Sequence, residues 1–412
     1  MEAIQAVEPD PLWEEALRVA DAVDPEDVVE LTRELVRIPS VGTEGPVAAF
    51  LAEELKRRGL RVSLQEVASG RPNVIADWDT GERGFGLLLE GHTDVVTEGD
   101  REAWAHDPFG GEVVGDRLYG RGACDMKGGL AAAVVALDTV GRSARGLRGR
   151  VRLAALVDEE GMMQGVKAFV RAGLAEGFDG AIVCEPEENE ICLYQKGALR
   201  MLATFRGRQA HGAMPYAGAN PIPSAARFVL ALRELEQAEQ QRCGAHPFLG
   251  LPWITPTTLR APARGDAQFN VIAGQAEVTV DVRTVPGQDH GVLAEAVAEL
   301  ACRAADGVNV TTVVVEDRPW TQTPTDAPLV RAVEQAVRAA TGRSPRYGGV
   351  PGATDGTFLW AWARVPVVTI GPGKREVPHQ VDEYVEIPEL VEASRIYAAA
   401  IVYALAGEEN EE

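Results

Sequence analysis

The sequence lacks the apolar runs that membrane proteins and secreted proteins need. No stretch of the 412 residues approaches the roughly 18 consecutive apolar residues of a transmembrane helix. The opening stretch, MEAIQAVEPDPLWEE, is acidic and contains no apolar core, so we expect no signal peptide. These two absences predict a protein of the cytoplasm that has no membrane partner.

Cysteine is also scarce, and its spacing indicates free thiols. The sequence has five cysteines, and they include no C-x-x-C pair. An odd, unpatterned number of cysteines argues against a disulfide framework and favours a reducing compartment. We expect Cys124 and Cys184 to be packing residues, because no signature of a histidine-paired nucleophile accompanies them. The five are Cys124, Cys184, Cys192, Cys243 and Cys302.

Basic residues are too few to balance the acidic ones. The chain has 40 lysines and arginines against 62 aspartates and glutamates, which gives a formal net charge of −22. Such a surface repels phosphate backbones and anionic lipids, so nucleic acid and membranes are poor partners. The composition, 46% hydrophobic and 25% charged, is typical of a soluble globular protein. A length of 412 residues predicts two domains.

Buried strands alternate with helices over the two outer parts of the chain. GLLLE, VRLAALV, GAIVC and VPVVTIG are short apolar runs typical of buried strands, and KGGLAAAVVALDTV is typical of a buried helix. This alternation predicts an α/β fold, in which a central, mostly parallel sheet is flanked by helices on both faces.

The middle of the chain has a different pattern. ALRMLATFRGRQAH and AEVTVDVRTVPG alternate as half-exposed strands do, and VNVTTVVVE is a further strand. NPIPSAARFVLALRELEQAEQQ and HGVLAEAVAELACRAA are typical of helices. We therefore predict a small α+β domain over 198–316, inserted into an α/β catalytic domain that comprises 1–197 and 317–412.

Candidate metal-binding side chains follow the predicted strands or precede the buried helix. Because ligands bind outside the carboxyl ends of the strands in open α/β sheets, we expect these side chains to share one crevice. Two histidines with three or more carboxylates suit a pair of divalent ions, with zinc favoured and cobalt or manganese as alternatives. The candidates are His92, Asp94, Asp125, Glu159, Glu160, Glu185 and His379.

The motifs around these residues resemble those of one known family. GHTDVV, GRGACDMKGG, DEEG, CEP and PHQVDE occur in this order, with the predicted inserted domain between the fourth and the fifth. They resemble the dinuclear-zinc aminoacylase/carboxypeptidase family, peptidase family M20. That family includes acetylornithine deacetylase, succinyl-diaminopimelate desuccinylase and the glutamate carboxypeptidases. The resemblance covers nearly the whole chain and implies the zinc-peptidase fold with an inserted dimerisation domain.

The resemblance implies a role for each candidate ligand. Asp125 would bridge two metal ions. His92 and Glu185 would complete one site, and Glu160 and His379 would complete the other. The family also implies a cis peptide bond after Asp125.

Two further acids would act beside the ligands. The resemblance implies that Asp94 hydrogen-bonds the far nitrogen of His92 and fixes its orientation. It implies that Glu159 is the general base. Two cations would lower the pKa of a bridging water and polarise a carbonyl, and Glu159 would move the proton from the water to the leaving amine.

The resemblance also covers residues of the predicted inserted domain. His211, in GRQAHGAMPYAGANP, resembles a histidine that reaches into the active site of a partner subunit and stabilises the oxyanion there. This implies a homodimer. Asn270, in FNVIAG, and Arg283, in VDVR, resemble residues that bind a substrate carboxylate. The simpler alternative for Arg283 is a pair with Asp281.

A later loop completes the expected site. YGGVPGATDGTFL resembles a substrate-binding loop, with Gly352, Thr354 and Asp355 lining the pocket. We predict a metal-dependent hydrolase that cleaves the amide bond of an N-acyl amino acid or small peptide. We expect this substrate to carry a free carboxylate. A deacylase similar to acetylornithine deacetylase and succinyl-diaminopimelate desuccinylase is favoured over a dipeptidase, a carboxypeptidase or an N-carbamoyl amidohydrolase. A metal-free binding protein on the same scaffold would have lost ligands that this chain has.

Overall fold

The computed structural model describes residues 11–406. The expectation of no signal peptide depends partly on residues 1–10, and an expectation of disorder for the tail GEENEE concerns 407–412, so both fall outside the described residues. Within residues 11–406, no helix is both long and apolar enough to cross a membrane.

Helices and strands alternate along most of the described chain. The α-helices are α1 (Pro11–Asp21), α2 (Pro25–Val36), α3 (Gly45–Arg57), α4 (Gly128–Ser143), α5 (Gln164–Arg171), α6 (Ile222–Cys243), α7 (His290–Ala304), α8 (Pro328–Thr341), α9 (Gly356–Ala361) and α10 (Ile387–Leu405). The strands of the first half are β1 (Arg61–Ala68), β2 (Arg71–Asp79), β3 (Phe85–His92), β4 (Glu112–Val114), β5 (Arg117–Tyr119), β6 (Gly149–Leu156), β7 (Gly180–Val183), β8 (Ile191–Gln195) and β9 (Gly197–Arg206). The later strands are β10 (Ala210–His211), β11 (Trp253–Arg260), β12 (Val271–Ile272), β13 (Gln275–Thr284), β14 (Asn309–Arg318), β15 (Thr321–Gln322), β16 (Tyr347–Val350), β17 (Val367–Thr369) and β18 (Tyr384–Glu386).

The chain folds into two compact units, and the first is built on a central sheet. The described part of this unit comprises 11–193, Thr323–Gly348 and 354–406. The strand order of the sheet is β1-β2-β6-β3-β7-β17-β8. The four neighbouring strands β6, β3, β7 and β17 are parallel. Their carboxyl ends therefore lie along one edge of the sheet.

The central strands are buried on both faces, as their continuous apolar sequence predicts. Leu87, Leu88 and Leu89 of β3 have no solvent exposure. Leu88 belongs to a cluster with Phe169 of α5 and Phe358 of α9. Since side chains alternate along a strand, Leu87 and Leu89 face the other side, where α4 and α10 pack against β3. The predicted sheet with helices on both faces is confirmed.

A glycine allows α4 to begin close to the carboxyl edge of this sheet. A Cβ atom at Gly129 would lie 2.0 Å from the carbonyl oxygen of Cys184, just after β7. Only a residue without a side chain permits this approach. The start of α4 and the end of β7 therefore bring their flanking residues, Asp125 and Glu185, to the same region.

The second unit comprises Tyr194–Gln322 and Gly349–Ala353. Its four-stranded antiparallel sheet has the order β11-β13-β9-β14, and α6 and α7 pack together on the sheet. Burial alternates along β13, as its sequence pattern predicts. The buried face packs with the helices around Phe205 and Phe228, whose ring centroids lie 5.7 Å apart.

The boundaries of this unit differ from the predicted segment 198–316. The unit begins at Tyr194 and ends at Gln322, and it therefore includes the whole of β9 and β14. The segment Gly349–Ala353, which we expected in the catalytic domain, also belongs to the second unit. The alternation of residue types alone does not reveal these limits.

We expect the core of the second unit to depend on Phe228. Phe228→Ala removes a side chain with no solvent exposure and should lower the free energy of unfolding by about 3–5 kcal/mol. Leu230→Ala is the matched control, because Leu230 lies on the same helix with 66% exposure and should change it by less than about 0.5 kcal/mol. Urea unfolding followed by circular dichroism measures both, and equal effects would contradict the assigned core.

Candidate metal centre

Five candidate side chains lie where the parallel strands of the first unit end. His92 is the last residue of β3. Glu159 and Glu160 follow β6, and Glu185 follows β7. His379 follows β17. Because these four strands are adjacent and parallel, the side chains share one edge of the sheet, as expected for a site at strand carboxyl ends.

Asp125 lies between the two histidines. It lies in the segment Ala123–Lys127, which leads into α4, and its own backbone is non-helical, with φ −119° and ψ 97°. Its Oδ1 atom lies 3.0 Å from Nε2 of His92, and its Oδ2 atom lies 3.3 Å from Nε2 of His379. Each carboxylate oxygen therefore faces a different histidine, which is the arrangement that a bridging ligand requires. The peptide bond from Asp125 to Met126 is cis, as the resemblance implies.

Each histidine has a second carboxylate beside it. Oε1 of Glu185 lies 3.8 Å from Nε2 of His92. Oε1 of Glu160 lies 2.9 Å from Nε2 of His379. The structure thus brings together two sets of donors, one around each histidine, and Asp125 belongs to both. This is the grouping that the resemblance implies for two metal ions.

The orientation of His92 leaves Nε2 available as a ligand. Its Nδ1 atom lies 2.9 Å from the main-chain carbonyl oxygen of Asp94. A carbonyl oxygen only accepts, so Nδ1 carries the proton and donates, and Nε2 keeps its lone pair. Metal-binding histidines are usually oriented by such a bond from the far nitrogen.

Asp94 differs from the expectation in one respect. We expected its carboxylate to hold Nδ1 of His92, but the carboxylate lies 3.6 Å from that atom and the main-chain carbonyl makes the bond. The carboxylate instead accepts hydrogen bonds from the amides of Glu159 and Glu160, both at 3.1 Å. Burial raises the pKa of Asp94 to about 6. One residue therefore orients both a candidate ligand and the turn that carries the candidate base.

The charges of the donor set suit bound cations. Burial raises the pKa of Glu185 well above its usual range, and the charge of Asp125 raises it further. Burial alone would raise the pKa of Asp125 as well, but hydrogen bonds from His379 and His92 lower it. Buried carboxylates this close together repel one another, and bound divalent ions would offset that repulsion. The residues present therefore fit a pair of divalent metal ions.

Glu159 lies beside the His92 set. Its carboxylate and donor atoms of His92 and Glu185 lie within 4.8 Å of one another, and its side chain is buried. Glu160, the next residue, belongs to a different group, with His92 and Asp125. Both groups include His92, but Glu160 also lies 2.9 Å from Nε2 of His379, an arrangement that suits separate roles as base and ligand.

Sequence reasoning missed Glu383, which holds the segment before α4. Its Oε1 atom accepts hydrogen bonds from the amides of Gly122, Cys124 and Asp125, each at 3.0 Å. Glu383 is 1% exposed, and burial raises its pKa to about 7. The available signal was the last residue of PHQVDE, an acid four residues after the expected ligand His379.

Arg121 extends this contact to the other histidine. Its guanidinium pairs with the second oxygen of Glu383 and donates a hydrogen bond to the carbonyl oxygen of His379 at 3.4 Å. The guanidinium also lies over the ring of Trp104, 5.2 Å from the ring centroid. The buried pair of Arg121 and Glu383 therefore contacts the main chain at both Asp125 and His379.

The expected residues of the inserted domain lie in the second unit. His211, on β10, is exposed and accepts a hydrogen bond at Nδ1 from the amide of Ala213 at 3.0 Å. The carbonyl oxygen of Asn270 accepts from the amide of Gly212 at 2.6 Å, so the segments of His211 and Asn270 are adjacent. Gly352 belongs to the same unit, with open space where a Cβ atom would stand.

Arg283 forms the pair that we considered as its simpler alternative. Its Nη2 atom donates to Oδ2 of Asp281 at 3.0 Å, and its Nε atom lies 3.0 Å from Oδ1. Both residues lie on β13, two positions apart, so their side chains share one face of the sheet. One side of the guanidinium is therefore occupied by a residue of the same strand.

Thr354 and Asp355 belong to the first unit, whereas Gly352 belongs to the second. Both are buried, at 6% and 1% exposure. Burial and the charge of Asp355 raise the pKa of Glu90 well above its usual range, which places Asp355 near the residue two positions before His92. The predicted substrate loop is thus divided between the two units.

Comparisons with known proteins agree with this geometry. The model of peptidase family M20/M25/M40 matches residues 88–403. The chain is 33% identical over 391 residues to the succinyl-diaminopimelate desuccinylase of Phenylobacterium zucineum, covering 91% of this chain and 97% of that protein. Its fold is similar to that of the M20 family metallo-carboxypeptidase Sso-CP2 from Sulfolobus solfataricus, with a TM-score of 0.74, 18% identity, and coverage of 92% of this chain and 99% of that one.

A second solved structure, a dinuclear metal binding peptidase of the M20 family from Bacillus subtilis, has a TM-score of 0.68 and 18% identity. The match covers 92% of this chain and 98% of that one. The family model and the desuccinylase together cover most of the sequence, including every motif that carries the resemblance. The chain therefore belongs to peptidase family M20/M25/M40.

Proposed function

We propose that this protein is a metal-dependent hydrolase that removes the acyl group from an N-acyl amino acid by cleaving its amide bond. The observation that carries the proposal is Asp125, whose two oxygens face two histidines with a buried Glu159 alongside. The desuccinylase relative, similar over nearly its whole length, supports a deacylase over a dipeptidase or a carboxypeptidase. The activity named for this relative further supports a succinyl group as the acyl group.

The proposed cofactor is a pair of divalent ions, with zinc favoured and cobalt or manganese as alternatives. His92 and Glu185 would hold one ion, His379 and Glu160 the other, and Asp125 both. When bound, the ions supply a Lewis acid that polarises the amide carbonyl and lowers the pKa of a water. Each ligand group offers the nitrogen and oxygen donors that these ions accept.

A protein side chain would then transfer the proton. Glu159 takes the proton from the attacking water on its carboxylate and returns it to the amide nitrogen as the amine leaves. Burial of this carboxylate keeps bulk water from exchanging the proton. Asp94 would orient the base, because its carboxylate accepts a hydrogen bond from the main-chain amide of Glu159.

Substrate binding is proposed for five residues. Arg283 and Asn270 are the proposed contacts for a substrate carboxylate, and Arg283 retains donors that Asp281 does not occupy. Gly352, Thr354 and Asp355 are the proposed lining of the pocket. A hydrolysis screen tests the whole proposal, with N-succinyl, N-acetyl and N-carbamoyl amino acids and dipeptides and with added zinc, cobalt or manganese. Turnover of dipeptides alone would contradict a deacylase.

We also propose a homodimer in which His211 serves the partner's active site. His211 is exposed, and large apolar side chains near it in the sequence are exposed as well, among them Met214 at 46% and Tyr216 at 82%. Phe269, beside Asn270, is fully exposed. Apolar side chains grouped in this way usually mark a protein interface. The edge strand β14 also exposes Val313 and is open to pairing.

The proposed compartment is the cytoplasm. All five cysteines of the chain are free, and Cys124, Cys184 and Cys192 are buried. Free thiols are typical of a reducing compartment. Their burial supports packing as the role of these cysteines.

We predict that Glu159→Gln lowers turnover and leaves metal binding intact. The substitution removes the base but none of the five proposed ligands, so the rate should fall about 10²–10⁴-fold. Glu160→Gln is the matched comparison, and it should lose metal. Metal content by mass spectrometry and turnover of the best acyl substrate measure both variants. Turnover close to that of the wild type would remove Glu159 as the base, and lost metal would exchange the roles of Glu159 and Glu160.

We predict that Glu383→Gln weakens metal binding without unfolding the protein. Glu383 holds the amides around Asp125, so its loss should raise the metal dissociation constant about 10–100-fold. Glu376→Gln is the control, since Glu376 is an exposed acid in the same segment. Competition with a chromogenic chelator measures affinity, and the visible spectrum of the cobalt-loaded protein reports ligand geometry. Identical affinities and spectra in both variants would contradict the role of Glu383.

We predict that two inactive variants restore activity together. His211→Ala and Glu159→Ala should each be nearly inactive. In a mixed dimer, one site combines an intact Glu159 with an intact His211 of the other chain. Random pairing makes about half of the dimers mixed, each with one complete site, so activity should recover to about a quarter of wild type. Differential affinity tags verify the mixed dimers, and their failure to recover activity would show that His211 does not act across an interface.

A further inference from the structure

The open face of the sheet in the second unit carries a group of cationic side chains. We call the face opposite α6 and α7 the open face. Along β13 the valines point to the helices, so Asp281 and Arg283 lie on the open face. In the strand register, Arg200 of β9 stands between Asp281 on β13 and Glu316 on β14. The neighbouring row places Ala198 between Arg283 and Arg318.

The charges immediately around Arg200 do not balance. Arg283 is paired with Asp281, and Nε of Arg318 lies 3.8 Å from Oε1 of Glu316. Lys196, the residue before β9, donates to the carbonyl oxygen of Leu251 at 2.7 Å, and that oxygen brings no negative charge. Four cations against two carboxylates leave two positive charges without a counterpart, in a protein whose net charge is −22.

Arg200 is the cation of this group with the fewest contacts. Within residues 11–406, its guanidinium makes no hydrogen bond and no ion pair within 4.0 Å, although the side chain is half-buried. Burial, and after it the charge of Arg318, lower the pKa of Arg200 from its ordinary value. Arg206, six residues along the same strand and on the same face, is an exposed arginine of the usual kind. Asp281 and Glu316 flank Arg200, but they already face Arg283 and Arg318. A half-buried arginine whose neighbouring carboxylates face other cations is expected where an anion binds.

We propose that Arg200 binds a second carboxylate of the substrate, on the same sheet face as Arg283. The inference rests on the proposed function, because Arg283 is the proposed contact for the first carboxylate. Diagonal neighbours on adjacent antiparallel strands are about 7–8 Å apart at Cα, a spacing that long side chains reach across. Arg200 and Arg283 are such neighbours. Each guanidinium can then take one carboxylate of a short dicarboxylic chain in a fork geometry.

The test compares ligands that differ by one carboxylate. The metal-loaded protein is titrated calorimetrically with succinate, butyrate and inorganic phosphate at constant ionic strength. We expect wild type to bind succinate about tenfold or more tightly than butyrate, the ratio that one charge-assisted hydrogen bond supplies. Arg200→Gln should remove this preference and leave the affinity for butyrate within about twofold, since its first contact stays.

Arg206→Gln is the matched control, because it makes the same change of charge on the same strand and face. It should keep the wild-type preference for succinate. Arg200→Lys keeps the charge without the fork and should retain part of the preference. Melting temperatures near that of the wild type verify that each variant is folded.

Several results would overturn the inference. They are equal binding of succinate and butyrate by the wild type, binding of neither at millimolar concentration, tighter binding of phosphate than of succinate, and an unchanged preference in Arg200→Gln. Arg283→Gln separates the two proposals, because it should weaken succinate and butyrate alike. If Arg283→Gln changes nothing while Arg200→Gln removes the preference, the carboxylate contact of the proposed function fails and the site at Arg200 stands.

Discussion

The candidate centre depends on one carboxylate that faces two histidines. Asp125 can present one oxygen to each histidine only if its main chain is held in a fixed position relative to both. Glu383 does this by accepting three amides of the segment, and the glycine at the start of α4 allows the helix to approach the end of β7. The ligands on the strand ends need less support, because the parallel sheet already aligns them. Buried carboxylates thus hold main-chain amides at two places in the centre: Glu383 holds those around Asp125, and Asp94 holds those of Glu159 and Glu160.

This design concentrates negative charge at the edge of an already acidic protein. Burial and mutual repulsion raise the pKa of Glu185, and similar forces act on Glu90 beside Asp355. Buried charges of one sign are costly unless they are paired or bind metal. Arg121 neutralises Glu383, but Asp125, Glu160 and Glu185 have histidines as their nearest partners. The folded centre is in this sense incomplete without cations, which is why the donor set is the strongest argument for a metal enzyme.

The sequence predicted the parts of this centre that depend on order along the chain. Strand ends that carry His92, Glu160 and Glu185 could be recognised because apolar runs and polar termini are local patterns, and the family match bears out the motifs. Contacts with main-chain atoms have no such pattern. The bond from His92 to the carbonyl oxygen of Asp94, and the amides held by Glu383, follow from backbone geometry alone. The segment Gly349–Ala353, which was expected in the catalytic domain, lies in the second unit, and no local pattern marks it.

In the second unit, the strand register determines which arginine has donors available for a ligand. From the sequence, Arg283 stands out because its motif resembles a carboxylate-binding one, whereas Arg200 has no motif. Pairing places Asp281 two positions from Arg283 on one face and occupies part of its guanidinium. The same register places Asp281 and Glu316 on either side of Arg200, yet within residues 11–406 its guanidinium makes no hydrogen bond and no ion pair within 4.0 Å. A cation can serve a ligand only with donors that the protein has not already used. Specificity for an anionic acyl group would therefore depend less on the arginine of the motif than on the one that the sheet leaves unpaired.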